Sequence, residues 1–246
     1  MRLVALIVLA AMVVGAIVTA AFGSNAASPA GVVIDWIPNG GSDATPAVTQ
    51  LPTTSTPAAV SGFVFPIEGG CLPEDDSLMP GALREYRQGT HEGVDIYDSD
   101  NCAFVGLETE VLAAKSGTVV RADWTYEDLN EVSLAELEEF VQQGAITPDV
   151  EDAFRGRQVW VEHADGTVTR YAHLAGIVEA VDVGSTVSQG EAIGFVGESG
   201  TPESVNDPGT QVHLHFEIRI GDGYLGAGLN AEAVRSLYEA AFVPDR

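Results

Sequence analysis

Gln211-Val212-His213-Leu214-His215-Phe216-Glu217-Ile218-Arg219 decides how the rest of the chain is read. Side chains alternate across a β-strand, so His213, His215, Glu217 and Arg219 share one face, and Leu214, Phe216, Ile218 and Ile220 share the other. The pattern predicts a half-buried strand with two imidazoles side by side on its polar face. Two histidines at i and i+2 favour a metal or proton-transfer site over a single satisfied core histidine. An H-x-H pair is weak by itself, and its weight depends on the chain's other three histidines, His91, His163 and His173.

Outward from this strand, residues 63–228 carry short β-rich runs punctuated by glycine: Phe63–Ile67, Gly93–Tyr97, Glu110–Ala114, Gly117–Asp123, Gln158–Glu162, Thr167–His173, Thr186–Val187 and Ala192–Val196. Many short strands with glycine turns predict a mainly β fold, an antiparallel sheet or sandwich. One segment, about 125–155, departs from that rhythm. Ser133-Leu134-Ala135-Glu136 reads as a capping box, and Leu134, Leu137, Phe140 and Val141 follow at helical spacing before Gly144. Thr147-Pro148 starts a second short helix carrying Val150 and Phe154. This is a helical insertion, read as decoration rather than as a lid. A C-terminal helix over 229–246, starting at Asn230, is expected to bury Val234, Leu237 and Phe242.

Upstream, Arg2 precedes an uncharged apolar run of twenty residues from Leu3 to Phe22. As a helix it would reach about 30 Å, enough to span a hydrocarbon core. Residues 1–26 therefore read as a single-pass anchor with its N-terminus inside, or as a signal peptide cleaved near Ser24-Asn25-Ala26. Either reading places the remainder outside the cytoplasm. Residues 27–62, rich in Pro, Thr and Ser, read as a disordered linker, with an apolar island at Val32–Trp36. In an exported chain the two cysteines, Cys71 and Cys102, are expected to form a disulfide. A formal charge of −25, from 36 acidic against 11 basic residues, argues against nucleic acid and anionic membrane surfaces as partners.

The remaining histidines divide by position. His91 and Asp95 would lie about 13 Å apart on a straight strand, so a bend, for which Gly93 is suited, is needed to bring them to one point. Asp165-Gly166 marks a hairpin between Gln158–His163 and Thr167–His173. With a two-residue turn, His163 pairs with Val168, on the face of Val159, Val161, Arg170 and Ala172. His173 and Tyr171 then share the opposite face with Trp160 and Glu162. His163 is accordingly read as structural. His91, Asp95, His173, His213 and His215 remain for a site with three ligands, an open position and spare imidazoles for proton transfer.

His91-x-x-x-Asp95, Tyr171-Ala172-His173-Leu174 and His213-Leu214-His215-Phe216-Glu217, in this order, resemble the signature of the lysostaphin/LytM-type metallopeptidases, peptidase family M23. The similarity runs from about Phe63 to Ile220 and takes in a Gly-rich hairpin over Val183–Gly197. The resemblance implies that His91, Asp95 and His215 bind one zinc ion, and that His173 and His213 are catalytic without binding it. It implies an endopeptidase acting on peptide cross-links of bacterial peptidoglycan. The alternative is a non-catalytic zinc-binding module that binds peptidoglycan or activates another hydrolase. The helical insertion and the long stretch Tyr97–Glu108 depart from the family pattern. A lipoyl- or biotinyl-type carrier, suggested by the Gly-rich stretch, is excluded because the single lysine, Lys115, lies elsewhere.

Overall fold

The computed structural model of the chain describes residues 60–243. The expected anchor or signal segment, nearly all of the linker and its Val32–Trp36 island lie outside the described residues. Among the described residues, no helix is long and apolar enough to cross a membrane.

The elements follow in chain order. The first half holds β1 (Leu83–Arg84), β2 (Gly89–Thr90), β3 (Val94–Ile96), β4 (Glu110–Leu112), β5 (Gly117–Ala122), α1 (Glu131–Gln142) and α2 (Pro148–Arg155). The second holds β6 (Val159–Glu162), β7 (Thr167–Ala172), β8 (Gly176–Ile177), β9 (Thr186–Val187), β10 (Ala192–Phe195), α3 (Glu203–Asn206), β11 (Leu214–Ile220), β12 (Gly223–Tyr224) and α4 (Ala231–Ala241). The main sheet runs β12-β11-β7-β6-β5-β9, with β3 also paired to β11. A second sheet runs β4-β10-β8, and β1 and β2 form a small hairpin. Every strand pairing is antiparallel, so the fold is mainly β, as expected.

The apolar side chains of both sheets meet in one core. Leu214, Phe216 and Ile218 of β11 are fully buried there with Val119, Val161, Tyr171 and Ile193. The polar face of β11 is not half-exposed as its alternation suggested: His213, His215 and Glu217 are buried too. The Gly-rich stretch is not a hairpin, because β9 joins β5 in the main sheet while β10 joins β4 and β8 in the other. Phe63–Ile67 is not a continuous strand. Phe63 bridges Phe242, and the Val64 N–H and Pro66 carbonyl bond to Ala114 and Leu112, as suits a segment whose Pro66 lacks an N–H.

The insertion forms two helices. Asn130, not Ser133, caps α1, and Ser133 is its reciprocal partner three residues on. Thr147 caps α2, with Pro148 in the first turn. Val141, Val150 and Phe154 pack as a separate small cluster between the helices, leaving Phe140 half-exposed. Helix α4 buries Val234, Tyr238 and Ala241, one stripe at helical spacing, while Leu237 is displaced to the partly exposed side. Cys71 and Cys102 are disulfide-bonded.

The β6–β7 hairpin corrects the expected register. Val159 pairs with Tyr171 and Val161 with Thr169, and the His163 N–H bonds to Thr167. A three-residue loop, with Gly166 at φ +80°, replaces the two-residue turn. Tyr171 and Thr169 therefore share the core face with Val159, Val161 and His163, and Trp160 stands opposite Arg170. His163 is structural as read: Nδ1 donates to the Ser116 carbonyl at 3.0 Å and Nε2 meets the Thr169 hydroxyl at 3.0 Å.

Burial holds the His163 pKa below its ordinary value. The folded state then binds fewer protons than the unfolded one in mildly acidic solution. His163 contributes its full stability above the unfolded pKa of about 6.5 and loses it as pH falls toward the folded value. Denaturant titrations of wild type and His163→Gln from about pH 5 to 7.5 should converge on acidification; curves that stay parallel would refute this. Breaking Cys71–Cys102, by reduction or by double replacement with serine, is expected to lower unfolding free energy by about 3–4 kcal/mol from loop entropy.

Candidate metal centre and the histidines beside it

The site begins with β11 pairing on both sides. His215 lies directly opposite Asp95 of β3 on one side and Ala172 of β7 on the other. Directly opposed residues point to the same face, so pairing alone delivers Asp95 to His215. Gly93 permits the approach through close packing: a Cβ there would lie 2.5 Å from the Phe216 carbonyl oxygen and 2.9 Å from the His215 ring. His91 then reaches in from the segment before β3.

His91 Nε2, Asp95 Oδ1 and His215 Nδ1 form a triangle with edges of 2.9, 3.1 and 2.7 Å. The outer nitrogens fix both tautomers. His91 Nδ1 lies 3.1 Å from the Met79 carbonyl, which only accepts, so the proton sits on Nδ1. His215 Nε2 donates to Glu217 Oε1 at 3.0 Å. Two imidazole lone pairs and a carboxylate oxygen thus converge with no proton of their own between them. A cation resolves that repulsion. A tetrahedral zinc with bonds of about 2.0–2.1 Å spaces its donors about 3.3 Å apart, so this triangle fits with a slight opening.

The electrostatics agree with a site built for positive charge. Burial pushes His91 down to about 4, keeping its ring neutral. Burial also opposes the charged form of His215, but hydrogen bonds to Asp95 and Glu217 raise its pKa above the ordinary value. A proton and a metal would compete there. Burial likewise opposes ionisation of Asp95, yet His91 and His215 hold its carboxyl well below the usual range.

His173 and His213 stand beside the triangle, with ring centroids 4.6 Å apart. His173 would follow Tyr171 into the core if β7 continued. Its left-handed φ of +60° turns it into the site instead, with its N–H bonded to the Arg155 carbonyl at 2.9 Å. His173 Nδ1 donates to the Ser199 carbonyl at 2.8 Å, and His213 Nδ1 donates to the Gln211 carbonyl at 2.6 Å. Each therefore presents Nε2 as a base. Burial lowers both pKa values, that of His173 well below the ordinary one. Tyr97 stacks on His213 at 4.3 Å and anchors its own hydroxyl on Gln211 Oε1 at 2.7 Å. All five histidine and aspartate side chains line one cavity of about 540 Å³.

A second layer escaped the sequence reading. Glu217, with 0% exposure, receives Arg155 Nε at 2.9 Å, Arg219 Nη1 at 3.1 Å and Arg170 Nη1 at 3.4 Å. Glu92 closes the cluster, accepting from Arg155 Nη2 at 2.6 Å and Arg219 Nη1 at 2.8 Å. Burial disfavours the Glu217 charge, but His215 and Arg155 hold its carboxyl well below the usual range. Arg155 ends α2, so the insertion is part of the site and not decoration. Arg84, from β1, adds a 2.7 Å bond to the second oxygen of Asp95. Glu217 had one signal in the sequence, its i+2 position on the face of His215; Arg155 and Arg84 had none.

The chain belongs to peptidase family M23, whose model matches residues 89–227, more than half its length. It is 47% identical over 64 residues to the cell division protein DipM of Caulobacter vibrioides, a match covering 26% of this chain and 9% of that protein. It is 42% identical over 65 residues to the DD-carboxypeptidase/endopeptidase Mpg of Neisseria meningitidis, covering 26% of this chain and 13% of that one. The matches thus span about a tenth of the length of these relatives. The catalytic domain of lysostaphin from Staphylococcus simulans is similar at 22% identity and a TM-score of 0.37, covering 63% of this chain and 85% of that domain.

If Glu217 and Arg155 orient His215, Arg155→Ala should lower stability, by leaving Glu217 short of a counter-charge, and should weaken the affinity of the folded fraction for added zinc about 10- to 100-fold. Chelator competition on the apo protein, with circular dichroism as the folding control, reads this directly. Unchanged affinity would remove Arg155 from that role.

Proposed function

We propose that this chain is an exported, zinc-dependent endopeptidase that hydrolyses peptide bonds in bacterial peptidoglycan cross-links. The observation that carries the reading is the convergence of three lone-pair donors, His91, Asp95 and His215, with two neutral imidazole bases over one cavity. Zinc held by those three residues would polarise the scissile carbonyl and supply an activated water at neutral pH. The protein's own side chains do the rest. His173 and His213, their Nδ1 protons pinned to carbonyls, hold Nε2 ready to accept a proton from the attacking water. Once protonated, the same atom is a donor to the developing oxyanion or the leaving amine. Asp95 Oδ1, 3.7 Å from His213 Nε2, favours the protonated form. Arg84 occupies the other Asp95 oxygen and leaves one carboxylate oxygen for the ion.

Export is supported by the apolar run Leu3–Phe22 and by the Cys71–Cys102 bridge, which suits an oxidising compartment. We place the domain at the cell envelope, either held by the N-terminal segment or released.

The test uses zinc-replete protein on sacculi of several cross-link chemistries, with products identified by mass. Cross-linked peptides should be cut, and a chelator should abolish the cutting. His213→Ala should keep one zinc per chain and lose turnover at least about 100-fold. Zinc-replete wild type that cuts none of the wall types would overturn the endopeptidase in favour of a non-catalytic envelope module.

A further inference from the structure

The hairpin β1–β2 carries two arginines, Arg84 and Arg87, and both line the cavity. Arg84 is already committed to Asp95 and to the Ser77 carbonyl. Arg155, the third arginine of the lining, is committed to Glu92 and Glu217. Arg87 is different. It is 5% exposed, and among the described lysines and arginines it alone has no carboxylate within 4.0 Å. Its Nη2 donates to the Thr90 carbonyl at 3.2 Å, while its Nε is buried with no partner at all. A guanidinium out of water with no carboxylate beside it is costly, and this chain has 36 acidic residues with which to match it.

The loop holding Arg87 is also fixed in place. Gln88 sits in the left-handed region at φ +51° and donates its side chain to the Val141 carbonyl of α1 at 2.8 Å. Tyr86 meets Phe154 of α2 edge-on at 6.1 Å. The turn Glu85–Arg87 is closed by the Gln88 N–H on the Glu85 carbonyl, so the guanidinium is not needed to cap it. The result is a planar cation held in place in the lining of the cavity of the zinc-type triangle, with one backbone carbonyl and no carboxylate as its partner.

We infer that Arg87 is a carboxylate-binding subsite, and that the substrate peptide carries a free carboxylate which pairs with it when the scissile bond reaches the metal centre. This deepens the peptidase reading and rests on it. A guanidinium fork matches a carboxylate bidentately, whereas a carboxamide offers one acceptor and a repelling NH₂. The surplus cation also counters, inside the cleft, the repulsion that a chain of charge −25 exerts on an acidic peptide.

The experiment compares a purified cross-linked muropeptide dimer with the same dimer after its free carboxylates are converted to carboxamides. Zinc-replete wild type should favour the carboxylate form about 10- to 100-fold in kcat/KM, mainly through KM. Arg87→Gln should shrink that preference to less than about threefold, and Arg87→Lys, which keeps the charge but not the fork, should fall between. Equal use of both forms by wild type, or a preference that survives in Arg87→Gln, overturns the inference and leaves the peptidase intact. Dissociation constants for the same pair, measured in the His213→Ala background, separate the two readings. Arg87-dependent preference in binding without any turnover by the wild type would sustain the subsite and sink the peptidase. Should Arg87→Gln lose zinc or unfold, Arg87→Lys decides, and a preference it leaves untouched counts against the subsite.

Discussion

The Glu217 carboxylate is cut off from water, and much of the site follows from what keeps it ionised. Three arginines and the His215 Nε2–H take the place of its hydration. Such a cluster is stable only when its members are held in register, because removing one leaves an uncompensated charge in low dielectric. Its effect on the metal side is specific. By accepting the Nε2 proton, Glu217 forces the His215 lone pair onto Nδ1, toward Asp95 and His91. The same logic repeats at His91 with the Met79 carbonyl, at His173 with Ser199 and at His213 with Gln211. Each imidazole presents one defined atom to the cavity because a fixed acceptor has claimed the other.

Those acceptors come from segments far apart in the chain, and the helical insertion ties several of them together. Arg155 supplies a side chain to Glu217 and Glu92, and a carbonyl to the His173 N–H. The next residue, Gly156, packs so tightly on Ser199 that a Cβ would lie 2.1 Å from the Ser199 carbonyl oxygen. That is the same carbonyl that fixes the His173 tautomer. One short stretch after α2 therefore positions the metal side and the proton-transfer side together. Helix α1 and α2 also clamp the β1–β2 hairpin through Gln88 and Tyr86. What looked like an appendage to a family domain lines part of the cleft and holds the β1–β2 hairpin that lines another part.

The sequence by itself determined the β architecture, the two insertion helices and the disulfide, because each rests on a local pattern: period-two alternation, capping residues, and paired cysteines in an exported chain. It also singled out the five polar residues His91, Asp95, His173, His213 and His215, since H-x-H on one strand face and the spaced motifs are visible without coordinates. It misjudged the β6–β7 register by one residue, because turn length is set by backbone conformation at Gly166 rather than by the Asp-Gly pair alone. His173 escaped its strand's alternation through a left-handed backbone that no pattern announces. Only the tertiary structure decided that the polar face of β11 is buried, that Glu217 is matched by arginines up to sixty-two residues away in sequence, and that Arg87 is left without a carboxylate partner. The reason is physical: period and spacing report which side chains share a face, whereas the charge state and tautomer of a buried group depend on long-range neighbours that only the packed chain assembles.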